Sequence, residues 1–129
     1  MFTRPLASKP FLSLASSLSA KRGMAFVVVG NNDAFQKIEK NDKKKIFYFT
    51  ASWCPPCKKI APVFEKMAAS HPTIDFCKVD VDDMPEAAGA YKVSGVPTFA
   101  FINKSVKVGQ VVGADENGIR AKVLELEKL

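Results

Sequence analysis

Short hydrophobic runs recur along this chain, and five of them have the composition of β-strands. They are rich in β-branched and aromatic residues, which pack well on a pleated sheet, and they comprise AFVVVG (25–30), KIFYFTA (45–51), TIDFCKVDVD (73–82), VPTFAFIN (96–103) and KVGQVVG (107–113). KIFYFTA is continuous and rich in aromatic residues, which is typical of a strand buried on both faces. The pattern therefore predicts a sheet with this strand near its centre.

The segments between these strands have the features of helices. They are NNDAFQKIEKND (31–42), the segment that begins at Pro55, MPEAAGAY (84–91) and DENGIRAKVLELEKL (115–129). In the second segment the apolar residues recur at helical spacing, so that Ile60, Val63, Phe64 and Met67 share one face. We therefore expect amphipathic helices that pack against the sheet.

The predicted elements follow the order βαβαβαββα. Alternation of strands and helices implies right-handed crossovers and parallel pairing, whereas the last two strands, joined at Lys104–Ser105, form a hairpin that adds antiparallel pairing. The predicted fold class is α/β, with a central mixed β-sheet flanked by helices on both faces.

Length and charge narrow the possible partners. The chain has 129 residues, which suits one domain, and 47% of them are hydrophobic, which is enough for a core. Its formal net charge of +6 does not indicate a nucleic-acid partner, because basic and acidic residues are mixed after residue 23. The apolar runs are far shorter than the ~18 residues of a membrane span.

Residues 1–23 differ from the rest of the chain, since they are basic, serine-rich and free of acidic residues. A basic segment with one apolar helical face is typical of an organelle import signal. We interpret residues 1–23 as a targeting presequence, removed or disordered, and residues 24–129 as the folded domain. Mitochondrial import is the favoured address. The alternatives are a plastid or another organelle, secretion, a tail without an address, and a cytoplasmic form translated from Met24.

The stretch TASWCPPCKK (50–59) carries the candidate chemistry, because Cys54 follows a predicted buried strand and begins a predicted helix. A helix N-terminus presents unpaired N–H groups and a partial positive charge, and both stabilise a thiolate. Cys57, one turn further, faces the same side and lies nearer the helix interior. We therefore predict that Cys54 is the exposed nucleophile and that Cys57 is the sheltered thiol that resolves a mixed disulfide. Pro55 and Pro56 fit the first turn, where their missing N–H groups would have no intrahelical partner.

A zinc site and an inert structural disulfide are the alternatives for this pair. Zinc needs four ligands, but His71 should lie at the far end of the helix, and Cys77 lies within a strand pattern. A disulfide that closes so short a loop gains little loop entropy. The sequence therefore favours a redox-active pair without a metal.

Further motifs accompany the pair, and the whole set is WCPPC, APVFEKMA, KVDVDD and VSGVPTFAFI. Together they resemble the thioredoxin family over about residues 25–128, which implies the thioredoxin fold for residues 24–129. The usual family motif, W-C-G-P-C, has a glycine where this chain has Pro55. The stretch YFTASWCPPC is more similar to tryparedoxin and nucleoredoxin, whereas the downstream half resembles ordinary thioredoxins.

The resemblance also implies residues that bind substrate. Pro97 matches the family's cis-proline, which lies against the disulfide, and the backbone of Val96 would pair with an extended substrate segment. Trp53 matches the aromatic residue beside the active site. Gly95 and Gly113 match small positions that let a substrate approach.

The chain departs from the family pattern at Tyr48. Thioredoxins usually place a buried aspartate six residues before the first cysteine, where it assists proton removal from the second. A tyrosine is neutral at pH 7 and is therefore a poor general base. Lys78 matches a lysine near the buried end of the site and loses its expected carboxylate partner. We expect this departure to affect the rate of catalysis and not the class of reaction.

The sequence thus predicts a monomeric protein-disulfide reductase in which Cys54 attacks and Cys57 resolves. The resemblance implies that the Cys54–Cys57 disulfide is the redox group, with no bound cofactor. It also implies that a thioredoxin reductase recharges the disulfide with electrons from NADPH, and that the clients include peroxiredoxins. The alternatives are a tryparedoxin-like carrier recharged by another dithiol donor and a binding module with a thioredoxin fold and no catalysis.

Overall fold

The computed structural model describes residues 26–129, which form a five-stranded sheet and four helices. The strands are β1 (Phe26–Val28), β2 (Lys44–Thr50), β3 (Ile74–Asp80), β4 (Thr98–Asn103) and β5 (Val106–Val112). The helices are α1 (Asn32–Lys40), α2 (Pro55–Ser70), α3 (Pro85–Ala90) and α4 (Glu116–Lys128). Within this part of the chain, every helix is too short or too polar to cross a membrane. The predicted presequence, residues 1–23, and Met24 lie outside the described residues.

The sheet has the strand order β1-β3-β2-β4-β5. β3 pairs in parallel with β1 and β2, whereas β4 pairs antiparallel with β2 and β5. The predicted order βαβαβαββα and the mixed sheet are therefore confirmed. Lys104 and Ser105 form the hairpin loop with positive φ angles of 52° and 75°, as two-residue hairpin loops require. β4 begins at Thr98, later than predicted, because Pro97 has no N–H to donate to the ladder.

Two hydrophobic cores lie on opposite faces of the sheet. Helices α2 and α4 cover one face with residues that include Phe64 and Val123. Helices α1 and α3 cover the other face with residues that include Phe35 and Ala87. The predicted layers of helices on both faces are thus confirmed, although Val63 of α2 is only half-buried.

Strand β2 runs through the centre of the sheet and contributes to both cores. Ile46 and Tyr48 belong to the core beneath α2, whereas Phe47 and Phe49 belong to the opposite core. This burial on both faces explains why the run of large apolar residues is continuous. It also directs Tyr48 towards the first turn of α2, where the two cysteines lie.

Lys45 on the same strand is fully buried, which the sequence pattern does not predict. Its Nζ donates hydrogen bonds to the carbonyl oxygens of Glu39, at 3.3 Å, and Asn41, at 2.9 Å. Burial lowers the pKa of Lys45. The carbonyls at the C-terminal end of α1 offset this desolvation, because a helix C-terminus carries partial negative charge.

The buried thiol of Cys77 gives the stability of the fold a pH dependence. Burial raises the pKa of Cys77 from 9.0 to about 12. At a pH between these two values, the unfolded chain releases the thiol proton and the folded chain keeps it. The contribution of Cys77 is therefore complete below about pH 9 and is lost as the pH rises. As the pH rises above about 9, the free energy of unfolding should fall by about 1.4 kcal/mol per pH unit less in Cys77→Ala than in the unaltered protein.

Urea unfolding of the oxidised protein between about pH 8 and about pH 11 measures this effect. The variant keeps Lys45 and both tyrosines, so the difference between the two curves reports the Cys77 thiol together with its interaction with Lys45. Parallel curves for the two proteins would contradict the assignment.

Candidate active site

The two cysteines of the C-x-x-C motif form a disulfide between the end of β2 and the start of α2. Their Cα atoms are 5.3 Å apart. Cys54 is the N-cap of α2, and its Sγ accepts a hydrogen bond from the Cys57 backbone N–H at 3.2 Å. Pro55 and Pro56 occupy the first two helical positions, where neither has an N–H group to leave unpaired. The predicted position of the pair at a helix N-terminus is confirmed.

The expected difference in exposure between the two cysteines is wrong for the disulfide form. Cys54 and Cys57 are each only 2% exposed. Cys54 is covered by the loop before β4, since its Sγ lies 3.7 Å from the carbonyl oxygen of Val96. The two sulfurs therefore differ by their positions on the helix and not by their exposure.

Three of the five residues predicted to bind substrate line a shallow cleft beside the disulfide. Trp53, Gly95 and Val96 line this cleft together with Val81, Val93 and Ser94, and its volume is about 140 Å³. The indole of Trp53 is 64% exposed. A side chain at Gly95 would meet no atom within 4 Å, so the cleft is open above this residue.

Pro97 and Gly113 lie next to the cleft and contact each other. The Val96–Pro97 peptide bond is cis, as the family resemblance implies, and Pro97 is buried. The backbone N–H of Gly113 donates to the Pro97 carbonyl oxygen at 2.8 Å. Gly113 has a φ of 97°, a backbone conformation that residues other than glycine rarely adopt. Gly113 therefore holds the end of β5 against Pro97 and does not line the cleft.

Asp82 is a site residue that the sequence analysis does not identify. Its Oδ2 accepts a hydrogen bond from the Trp53 Nε1–H at 2.9 Å. Asp82 follows β3, and Trp53 follows the neighbouring parallel strand β2, so both lie at the same edge of the sheet. The acidic run DVDD (80–83), at the end of the predicted third strand, is the sequence signal for this contact.

Tyr48 lies on the inner side of the disulfide. Its hydroxyl donates to the Cys57 carbonyl oxygen at 2.9 Å, and its ring stacks on Phe99 with the ring centroids 4.9 Å apart. Burial raises the pKa of Tyr48 above its ordinary value of 10.0. The phenol therefore stays neutral at physiological pH, and its proton is directed at a backbone oxygen and not at a sulfur.

A second cavity, of about 300 Å³, lies between β2, β3 and the first turns of α2. Its walls include Tyr48, Thr50, Cys57, Lys78 and Asp80. The half-buried Lys78 is the direct neighbour of Tyr48 across the parallel pair β2–β3. The structure thus places Lys78 near the buried end of the site, as the resemblance implies.

Two residues discussed for this site lie elsewhere. Cys77 belongs to the core on the opposite face of the sheet, and His71 ends α2 and contacts Glu127 at 2.6 Å. In residues 26–129, no three His, Cys, Asp or Glu side chains come together as metal ligands.

A bonded C-x-x-C pair that caps a helix after the central strand of this fold is the site of a thiol–disulfide oxidoreductase. Comparison with known proteins agrees, since the family model for thioredoxin matches residues 26–125. The chain belongs to the thioredoxin family, whose members are protein-disulfide oxidoreductases.

The relatives differ in length from this chain. Thioredoxin H5 of Arabidopsis thaliana is 42% identical over 89 residues, which cover 67% of this chain and 75% of the relative. A TPR repeat-containing thioredoxin TDX of Oryza sativa subsp. japonica is 34% identical over 114 residues, which cover 86% of this chain but only 36% of the relative. A crystal structure of thioredoxin from Trypanosoma brucei brucei superposes with a TM-score of 0.78 and 34% identity, covering 84% of this chain and 96% of that one.

Proposed function

We propose that this protein reduces disulfide bonds of other proteins through Cys54 and Cys57. The observation that carries the proposal is the hydrogen bond from the Cys57 N–H to the Cys54 Sγ at the N-terminus of α2. In the reduced protein the same N–H and the helix dipole would stabilise a negative charge on Cys54. Cys54 is therefore the nucleophile of the pair.

The reaction proceeds in two exchanges of sulfur partners. The Cys54 thiolate attacks one sulfur of the client disulfide, which forms a mixed disulfide and releases the other client sulfur as a thiolate that takes up a proton. Cys57 then loses its proton and attacks the Cys54 sulfur, which releases the second client sulfur as a thiol. Two electrons pass to the client, and the Cys54–Cys57 disulfide is left behind.

The cleft beside the disulfide suits an extended client segment. Val96 lies at its edge with its carbonyl oxygen close to the Cys54 sulfur, so backbone pairing at Val96 would bring a client disulfide towards the nucleophile. The exposed ring of Trp53 offers apolar contact on the other side of the cleft. All of these groups belong to one chain, which is consistent with a monomer.

The oxidised pair must be reduced again before the next cycle. We infer that a thioredoxin reductase supplies the electrons from NADPH, so that the nicotinamide acts on the partner and does not bind this chain. Peroxiredoxins are the client class that we infer, because they form disulfides during turnover. Both inferences rest on the membership of this chain in the thioredoxin family.

The composition of residues 1–23 supports a mitochondrial location for this activity. The segment contains Arg4, Lys9, Lys21 and Arg22 and no acidic residue, which is the composition of an import signal. We propose that it directs the domain to mitochondria and is removed there.

Substitution of each cysteine tests the assigned roles. We expect Cys54→Ser to abolish reduction of a protein disulfide such as that of insulin, since the nucleophile is lost. We expect Cys57→Ser to retain the first exchange and to accumulate mixed disulfides with clients, which mass spectrometry of the protein incubated with cell extract would detect. Cys77→Ser is the matched control and should turn over normally. Accumulation with Cys54→Ser but not with Cys57→Ser would reverse the two roles.

A fusion of residues 1–30 to a fluorescent reporter tests the proposed location. We expect the reporter to enter mitochondria, because the basic segment is drawn to the import machinery. The matched control replaces Arg4 and Arg22 by glutamate and should leave the reporter in the cytosol. A diffuse cytosolic signal from the unaltered fusion would reject the mitochondrial address.

A further inference from the structure

The cavity behind Cys57 contains a carboxylate that offers a route for the proton of the resolving step. We propose that Asp80 accepts the proton of Cys57 through this cavity and so takes the place of a carboxylate at position 48. The inference rests on the proposed function, because it concerns the second of the two exchanges. Asp80 acts through water and not by contact with sulfur, so it is a positioning residue for proton transfer.

The register of the central strands brings Asp80 to this wall. Tyr48 pairs with Lys78, and Thr50 pairs with Asp80, across the parallel strands β2 and β3. Paired residues on neighbouring strands project from the same face of a sheet, and Tyr48 projects towards α2. Asp80 and Cys57 consequently line one cavity of about 300 Å³, which has room for several water molecules.

The other polar groups on the cavity wall cannot take the proton. The Tyr48 hydroxyl already donates to the Cys57 carbonyl, and burial raises the pKa of this phenol. Lys58 and Lys78 also line the cavity, but an ammonium has only donors and no acceptor. Hydroxyl groups, such as that of Thr50, can relay a proton but do not hold it. Asp80 is the single carboxylate among the residues that line this cavity.

The Asp80 carboxylate is held in a fixed orientation. Its Oδ1 accepts hydrogen bonds from the backbone N–H groups of Asp82, at 2.8 Å, and Asp83, at 3.4 Å. Among the described residues, Oδ2 has no hydrogen-bond partner and is available as an acceptor. The two lysines on the same wall offset the negative charge of Asp80, which would otherwise oppose formation of the Cys57 thiolate.

The proposed step balances without an added oxidant or reductant. The proton of the Cys57 thiol passes through cavity water to Asp80, and the Cys57 sulfur bonds to the Cys54 sulfur. The bond between Cys54 and the client sulfur breaks, and its electron pair leaves on the client. The client thiolate then takes a proton from solvent, and Asp80 returns its proton to solvent.

Release of thionitrobenzoate from Ellman's reagent tests the proposal by stopped flow. Attack by Cys54 releases one equivalent, and resolution by Cys57 releases the second, while Cys77 is buried and stays silent. We expect Asp80→Asn to leave the first phase unchanged and to slow the second by about 100-fold near pH 7, a size typical of general-base assistance. The asparagine oxygen can still accept the two backbone N–H bonds, so the loop should keep its conformation.

The pH profile separates a proton acceptor from a structural residue. In the unaltered protein the second phase should be nearly independent of pH around neutrality. In Asp80→Asn it should rise about tenfold per pH unit, because hydroxide then removes the proton. Asp80→Glu keeps a carboxylate and should retain the pH-independent region, which also provides a test if Asp80→Asn folds poorly.

Asp83→Asn is the matched control, since it removes the same charge from the turn that follows Asp80, and Asp83 does not line the cavity. Its second phase should equal that of the unaltered protein. An unchanged or faster second phase in Asp80→Asn, or equal slowing in both asparagine variants, would overturn the role of Asp80. Loss of the second phase in the unaltered protein would instead refute the proposed function.

Discussion

The structure of the site depends on one hydrogen bond, from the Cys57 backbone N–H to the Cys54 Sγ at the N-terminus of α2. Pro55 and Pro56 have no N–H groups, so the third position of the helix provides the first backbone donor that can reach the capping sulfur. The capping bond fixes Cys54 at the helix end and leaves Cys57 one turn inside. The direction of the helix thereby distinguishes two sulfurs that are equally buried.

The burial of β2 on both faces brings the remaining groups of the site together. Because the strand lies in the middle of the sheet, the Tyr48 hydroxyl on its inner side reaches the Cys57 carbonyl. On the neighbouring strand β3, Lys78 and Asp80 line the adjacent cavity. The same edge of the sheet places Asp82 beside Trp53 on the client side. The proposed nucleophile, the proposed client cleft and the proposed proton route therefore depend on the register of two parallel strands.

The sequence was sufficient for the order of elements and for the cysteine pair, because strand composition, helical spacing and the C-x-x-C position are local features. It did not predict the burial of Lys45, since a lysine in a strand gives no sign of the helix-end carbonyls that will receive it. It also did not indicate that the loop before β4, which contains Val96, covers Cys54. The contact of Asp82 with Trp53 and the place of Asp80 follow from strand register, which a single sequence shows only indirectly.

Site-specific alkylation of the fully reduced protein tests most directly whether the helix N-terminus activates Cys54. Iodoacetamide would be applied over about pH 5 to about pH 9, and the rate at each cysteine would be followed by mass spectrometry. If the helix N-terminus stabilises the Cys54 thiolate, Cys54 should reach its half-maximal rate at a pH well below ~8.5, the pKa of an ordinary thiol, while Cys57 stays unreactive over the same range. Equal rates at both cysteines, with half-maximal reaction near the ordinary value, would contradict it.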